Sequence, residues 1–262
     1  TTLSGNIYVA DSLYVAGGAT LDCGSYTITG SKFRLISGGN IKIGSVYGIT
    51  ASTISSVGGN VQTSCRSFST GANYTYSGTA DQATGDGLPT TVNNFSCSNA
   101  NYTVTATSDL TINGTISIPS TNTLNMGGNE LGAGTSYAMS GTGLLKTLSS
   151  DGSHPIPSSK AWDFAVEYGR SGNQSVVAGT YNILLLSGGS TKTMVGDATI
   201  VDSLKINSST TLALSTKSII LRSAATKTAR VAQLGTGAAI TYGSGGKFFV
   251  QRYLPAKRAW RL

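Results

Sequence analysis

Three stretches decide how this chain is read: Asn6-Ile7-Tyr8-Val9-Ala10-Asp11-Ser12-Leu13-Tyr14-Val15, Asp109-Leu110-Thr111-Ile112-Asn113-Gly114-Thr115-Ile116-Ser117-Ile118 and Asp197-Ala198-Thr199-Ile200-Val201-Asp202-Ser203-Leu204-Lys205-Ile206. Each alternates apolar and polar residues, breaks at a two- or three-residue polar corner, and then resumes the alternation. A period of two residues belongs to short strands with one buried face. The segments that follow match as well: Ala19-Thr20-Leu21-Asp22-Cys23-Gly24, Asn122-Thr123-Leu124-Asn125-Met126-Gly127 and Thr210-Thr211-Leu212-Ala213-Leu214-Ser215. The copies lie 103 and 88 residues apart, so they read as related units of a longer super-repeat, near 6–31, 109–134 and 197–223.

A second pair reinforces the pattern. Tyr74-Thr75-Tyr76-Ser77-Gly78 through Gln82 aligns with Val166-Glu167-Tyr168-Gly169-Arg170 through Gln174, and Thr91–Ser98 aligns with Thr180–Ser187. Short alternating strands with Gly, Asn, Ser and Asp corners predict an all-β chain: a right-handed parallel β-helix (β-solenoid) of about ten rungs, with little or no helix. Rungs spaced by about 4.8 Å stack their inward residues into columns. A tandem of β-sandwiches would need regular hairpin turns, and pairs such as Asn113-Gly114 occur only sporadically. The inward ladder is expected to hold Leu13, Leu21, Cys23, Ile112, Ile116, Leu124, Met126, Ile200, Leu204, Leu212 and Leu214. An Asp in place of Leu212 is then expected to bury an unpaired charge. The solenoid is read as residues 1–246, and 247–262 as a junction leading to a further domain.

Composition agrees with strands and little else. Of 262 residues 34 are Gly, and only 11% are charged, against roughly 25% in an ordinary globular domain. Scarce Glu and Lys argue against helical bundles and coiled coils. Recurrent Leu, Ile and Val argue against charge-driven disorder, and no apolar run is long enough to span a membrane. The net charge of +7 is lopsided: residues 1–202 carry 8 Lys/Arg and 11 Asp/Glu, whereas 203–262 carry 10 Lys/Arg and no acid. Lys205, Lys217, Arg222, Lys227 and Arg230 stand singly among apolar residues, as on the outer face of strands, which predicts no nucleic-acid partner. Only Arg252, Lys257, Arg258 and Arg261 cluster. The three cysteines show no C-x-x-C spacing, so neither a disulfide framework nor a zinc site is expected. Cys23 matches Met126 and Leu214, and Cys97 matches Leu186, which makes both small apolar ladder residues with inert thiols. Cys65 has no counterpart.

Several of these motifs resemble repeats of giant secreted surface proteins of the Bacteroidota. They include Phe33-Arg34-Leu35-Ile36-Ser37-Gly38-Gly39-Asn40-Ile41-Lys42-Ile43-Gly44, Arg66 through Tyr76, Gly85-Asp86-Gly87-Leu88-Pro89-Thr90-Thr91-Val92-Asn93-Asn94 and Val177-Ala178-Gly179-Thr180-Tyr181-Asn182. The tail from Phe249 to Leu262 resembles the junction that leaves such a repeat region. The resemblance implies a secreted, cell-surface, adhesin-like or filament-forming protein exported by the type IX route, of which this chain is a fragment lacking the sorting domain. It further implies D-[ST]-hydrophobic O-glycosylation acceptors at Asp11-Ser12-Leu13 and Asp202-Ser203-Leu204, with Ser12 and Ser203 carrying the sugar.

No catalytic residues, metal ligands or cofactor are expected. Glycoside hydrolysis needs two convergent carboxyl groups. The close pairs here are Asp81/Asp86, Asp163/Glu167 and Asp197/Asp202; Asp163 and Glu167, four apart in a strand, would stand about 13 Å from each other. His154 sits in the loop Ser153-His154-Pro155-Ile156-Pro157 with no partner acid. The expected role is a non-enzymatic rigid stalk or fibre that associates end to end with other copies or flanking domains. The alternative is a carbohydrate- or surface-binding module using Tyr74, Trp162, Tyr242, Arg252, Lys257 and Arg258, with surface polysaccharide as partner and no membrane insertion. Tyr76 and Tyr168 share one repeat position, which favours a ladder role for that pair.

Overall fold

A computed structural model describes residues 1–51, 58–99, 101–134, 137–150 and 154–254. Among them there is no helix, and every pair of strands is parallel; the one antiparallel contact is an isolated bridge between Ser223 and Thr228. The chain is a β-solenoid of about ten turns, gathered into two compact units, Thr1–Lys146 and Thr147–Leu262.

In the first unit the register is regular where the corners are short. Leu110 pairs with Leu131 and Thr123 with Leu144, each 21 residues on. A longer excursion separates Ile41 from its partner Tyr74. One column runs through six turns: Leu21, Ile41, Tyr74, Phe95, Ile116 and Met139. A second, Val104-Leu124-Leu145, is fully buried. In the second unit the turn is 18 to 21 residues as far as Leu221 and 27 to 29 beyond it, and the columns are Trp162-Tyr181-Ile200-Leu221, Val166-Leu184-Leu204-Val231 and Tyr168-Leu186-Ile206-Leu234.

The polar corner inside the repeat takes two forms. In strands Ile7–Val15 and Ala198–Ile206 it is a bulge, a register shift between Val9 and Ser12 in one and opposite Tyr181/Ile183 in the other, so the strand continues for 9 residues. In the copy between them it breaks the chain into Leu110–Ile112 and Thr115–Ser117. An extra residue re-aims the alternation without ending the pairing. Opposite the first bulge stands Gly30, with φ of +107°; a Cβ there would collide with the Val9 carbonyl.

Ten of the eleven expected ladder residues are buried: Leu21, Cys23, Ile112, Ile116, Leu124, Met126, Ile200, Leu204, Leu212 and Leu214. Leu13 is half-buried, with Phe33 stacked on it. The phase of the repeat also departs from expectation. Leu21 and Leu124 match in sequence, yet Leu21 stacks in the column of Ile116 while Leu124 lies in a different sheet. The repeat is a local strand–corner–strand device reused on different faces, not a marker of one column. Strand pairing also runs beyond residue 246. Lys247–Val250 pairs in parallel with Ser218–Leu221, so the coil continues past it.

Candidate functional surface

The polar residues that enter the interior serve the backbone. Gln82 donates from Nε2 to the Ile43 and Ser45 carbonyls, each at 2.9 Å, and accepts from the Gly78 N–H at 2.8 Å. Asn73 donates to Asn40 and Asn93 donates to Asn73, forming a ladder of amides across three turns. Such bonds satisfy corner groups that would otherwise be buried without partners.

Carboxylates do the same work. Asp81 accepts from the Thr103 N–H at 2.8 Å, Asp86 from Ala51 at 2.8 Å, Asp109 from Glu130 at 2.8 Å and Asp197 from Ser218 at 2.7 Å. Asp202 pairs with Lys227 at 3.7 Å and Arg230 at 3.4 Å. Glu167 is buried and accepts from the Ser187 hydroxyl, whereas Asp163 is exposed. No two of these acids converge on a shared opening, and His154 is exposed in its loop. No group of three or more His, Cys, Asp or Glu side chains able to hold a metal exists among the described residues. No helix there is long and apolar enough to cross a membrane.

One buried cation stands out. Lys192 takes an inward position between Gln174 and Leu212, fully buried, and its ammonium donates to the Arg170 carbonyl at 2.5 Å and the Gly172 carbonyl at 3.1 Å. Burial, and secondarily the nearby Arg170 charge, pushes it down to about 8. No described carboxylate pairs with it. Nothing in the alternation singles out Lys192 in advance; its one signal is a Lys at an apolar phase of strand Ser190–Met194.

The expected binding residues fare unevenly. Tyr74 and Trp162 are 1% exposed and belong to core columns, so neither offers a ring to a ligand. Each falls on the inward phase of its strand, beside Ile41 and Phe95 for Tyr74 and beside Tyr181 for Trp162. Tyr76 and Tyr168 are buried, in agreement with a ladder role. Tyr242 and Arg252 are exposed, and Lys257 and Arg258 lie outside the described residues. Ser203 is 2% exposed, which closes its hydroxyl to modification on the folded chain: the bulge is sandwiched between turns, so a polar residue at the corner is not an open one. Ser12, its equivalent, is half-buried and donates to Asp11 at 3.4 Å.

Cys23 and Cys97 are buried, and burial pushes the Cys23 thiol up to about 12 and that of Cys97 higher still. Cys65 is exposed. It stands on the outer face of the sheet formed by Ile7–Val15, Ile28–Leu35 and Cys65–Phe68, where two outward columns run side by side. Ser12-Lys32-Cys65 is one and Tyr14-Arg34-Ser67 the other. Tyr8 and Tyr14 stand on the same strand on either side of its bulge and are 78% and 55% exposed. Beside these columns lies a cleft of about 220 Å³ lined by Lys32, Phe33, Arg34, Cys65, Arg66 and Ser67.

Compared with family models, curated proteins and solved structures, the chain matches none. The fold therefore stands on its own strand pairing, and function must be argued from the surface.

Proposed function

We propose that this chain is a non-enzymatic, extracellular structural segment of a secreted cell-surface protein of the Bacteroidota repeat type, acting as a rigid stalk or fibre. The observation that carries the reading is where its polar groups go. Asp81, Asp86, Asp109 and Asp197 each hold a backbone N–H of another turn, and the Asn and Gln side chains bridge turn to turn. A chain that commits its carboxylates to corner bonding has few left for chemistry and gains resistance to local opening. Parallel coils also leave strand edges that copies or neighbouring domains of the same polypeptide extend.

The test is location and mechanics. Antibodies against this chain label intact cells, and brief protease treatment of whole cells removes the protein. Pulled from its ends, the purified chain yields in steps of one or a few turns. Signal confined to the cytosolic fraction, or release of reducing sugar from polysaccharide by the purified chain, overturns the reading.

A second reading, a carbohydrate- or surface-binding module, keeps Tyr242 and Arg252 as exposed contacts but loses Tyr74 and Trp162 to the core.

A further inference from the structure

We infer that the outer face of the sheet built from Ile7–Val15, Ile28–Leu35 and Cys65–Phe68 is a binding site for an acidic polysaccharide, with Lys32 and Arg34 taking its carboxylates and Tyr14 stacking on a sugar ring. The site is separate from Tyr242 and Arg252 and goes beyond the stalk role.

The cations come first. Lys32 and Arg34 are two residues apart on one strand, which places them on the same face about 7 Å apart. Neither makes a hydrogen bond or ion pair with any described residue, whereas Lys42, Lys227 and Arg230 are all paired with Asp22 or Asp202. Asp11 is the acid on the neighbouring strand, and its Oδ1 is engaged by the Ser12 hydroxyl at 3.4 Å. Arg66 also lines the cleft, but it is already held by the Thr63 and Thr50 carbonyls at 3.0 and 2.6 Å and its charge is offset by Asp86, so the site rests on the other two cations. Two unpaired cations on one face suit an anion with repeating charge. A guanidinium in particular accommodates a carboxylate in two-point fashion.

An aromatic ring specifies the rest of the ligand. Tyr14 is the lateral neighbour of Arg34, one strand away, so a ring stacked on Tyr14 holds its substituents within reach of the guanidinium. Tyr8 lies beyond the bulge and is not part of the site. Two cations spaced along the strand with an exposed ring beside one of them match a sugar chain that carries repeated carboxylates. The hydroxyls of Ser12 and Ser67 complete the two columns with neutral donors and acceptors. These orientations follow from the alternation of the strands, so turns stacked before Ile7 would leave them unchanged.

The experiment titrates the whole chain with oligogalacturonate, with neutral dextran oligomers and poly-glutamate as comparison probes, by calorimetry at low salt. Oligogalacturonate is expected to bind, dextran not to bind, and poly-glutamate to bind at least tenfold more weakly. The double variant Lys32→Gln/Arg34→Gln weakens the uronate at least tenfold and Tyr14→Ala at least fivefold, whereas Lys205→Gln/Lys217→Gln leaves it unchanged. Equal binding of poly-glutamate, or equal loss in the Lys205/Lys217 control, overturns the site in favour of non-specific charge. Loss through Tyr242→Ala and Arg252→Gln alone overturns this site while preserving the second reading above. No uronate binding at all overturns it outright.

Discussion

Gln82 and Gln174 hold the same post in the two units. Each stands six residues after a buried tyrosine, Tyr76 or Tyr168, and accepts the backbone N–H of the residue four before it, Gly78 at 2.8 Å or Arg170 at 3.2 Å. Each then donates to a carbonyl of another turn, Ile43 or Thr147, that also receives the N–H of the residue after the tyrosine, Ser77 or Gly169. One amide thus closes a corner and ties two turns together.

Replacing either glutamine by leucine removes both halves of that arrangement and leaves a buried N–H unsatisfied. A loss of about 1–3 kcal/mol in unfolding free energy is expected for each of Gln82→Leu and Gln174→Leu. Gln233→Leu, at an exposed position, serves as the control and should fall within about 0.5 kcal/mol of the parent. Denaturant unfolding of the three variants checks this.

Aspartate substitutions separate an apolar column from one that carries a charge. Leu124 lies between Val104 and Leu145, so Leu124→Asp buries a carboxylate with no counterion and is expected to cost upwards of about 4 kcal/mol. Leu212 is different, because its neighbour in the column is Lys192. Sequence alone expects an unpaired charge at Leu212→Asp; the structure supplies an ammonium one turn away, and the loss there should be smaller than at Leu124. Thermal unfolding in which Leu212→Asp proves the more damaging of the two would refute the column assignment.

Lys192 also sets a pH dependence. Its value in the folded chain is pushed down to about 8 from the ordinary 10.5, so between those limits the unfolded chain holds a proton that the folded chain has released. Stability from this group therefore rises with pH through that window and is lowest below it. The difference in unfolding free energy between the parent and Lys192→Met should shift in favour of the parent from pH 8 to pH 10.5. A flat difference would place the amine in solvent.

The thiols divide by burial. Cys65 is exposed, whereas Cys23 and Cys97 combine burial with raised values that suppress the thiolate. Maleimide at neutral pH should add one label to the folded chain and three to the unfolded chain. Cys65→Ser should abolish the first without affecting the unfolding midpoint.

Much of the fold is legible in the sequence because a strand's two-residue period marks which side chains share a face. Leu124, Ile200 and Leu214 turn inward as the alternation requires. The same rule decides against Tyr74 and Trp162 as ligand contacts, since both occupy inward phases, and it places Tyr8, Tyr14, Lys32 and Arg34 outward. Alternation does not mark Tyr14, Lys32 and Arg34 as a site, because exposure and the lack of partners are spatial facts. An unpaired cation reads like a paired one until neighbouring turns are laid beside it.

Alternation, corner residues and the scarcity of Glu and Lys determine locally that this is a chain of short strands, because each depends on a residue and its immediate neighbours. Which turn lies on which depends on the lengths of the excursions between strands, such as the one separating Ile41 from Tyr74. Only stacking therefore decided that Leu21 joins Ile116 rather than Leu124, that Ser203 is closed between turns, and that Lys192 sits inside. Burial is a property of what covers a residue, and in a solenoid the cover is a strand about 20 residues away.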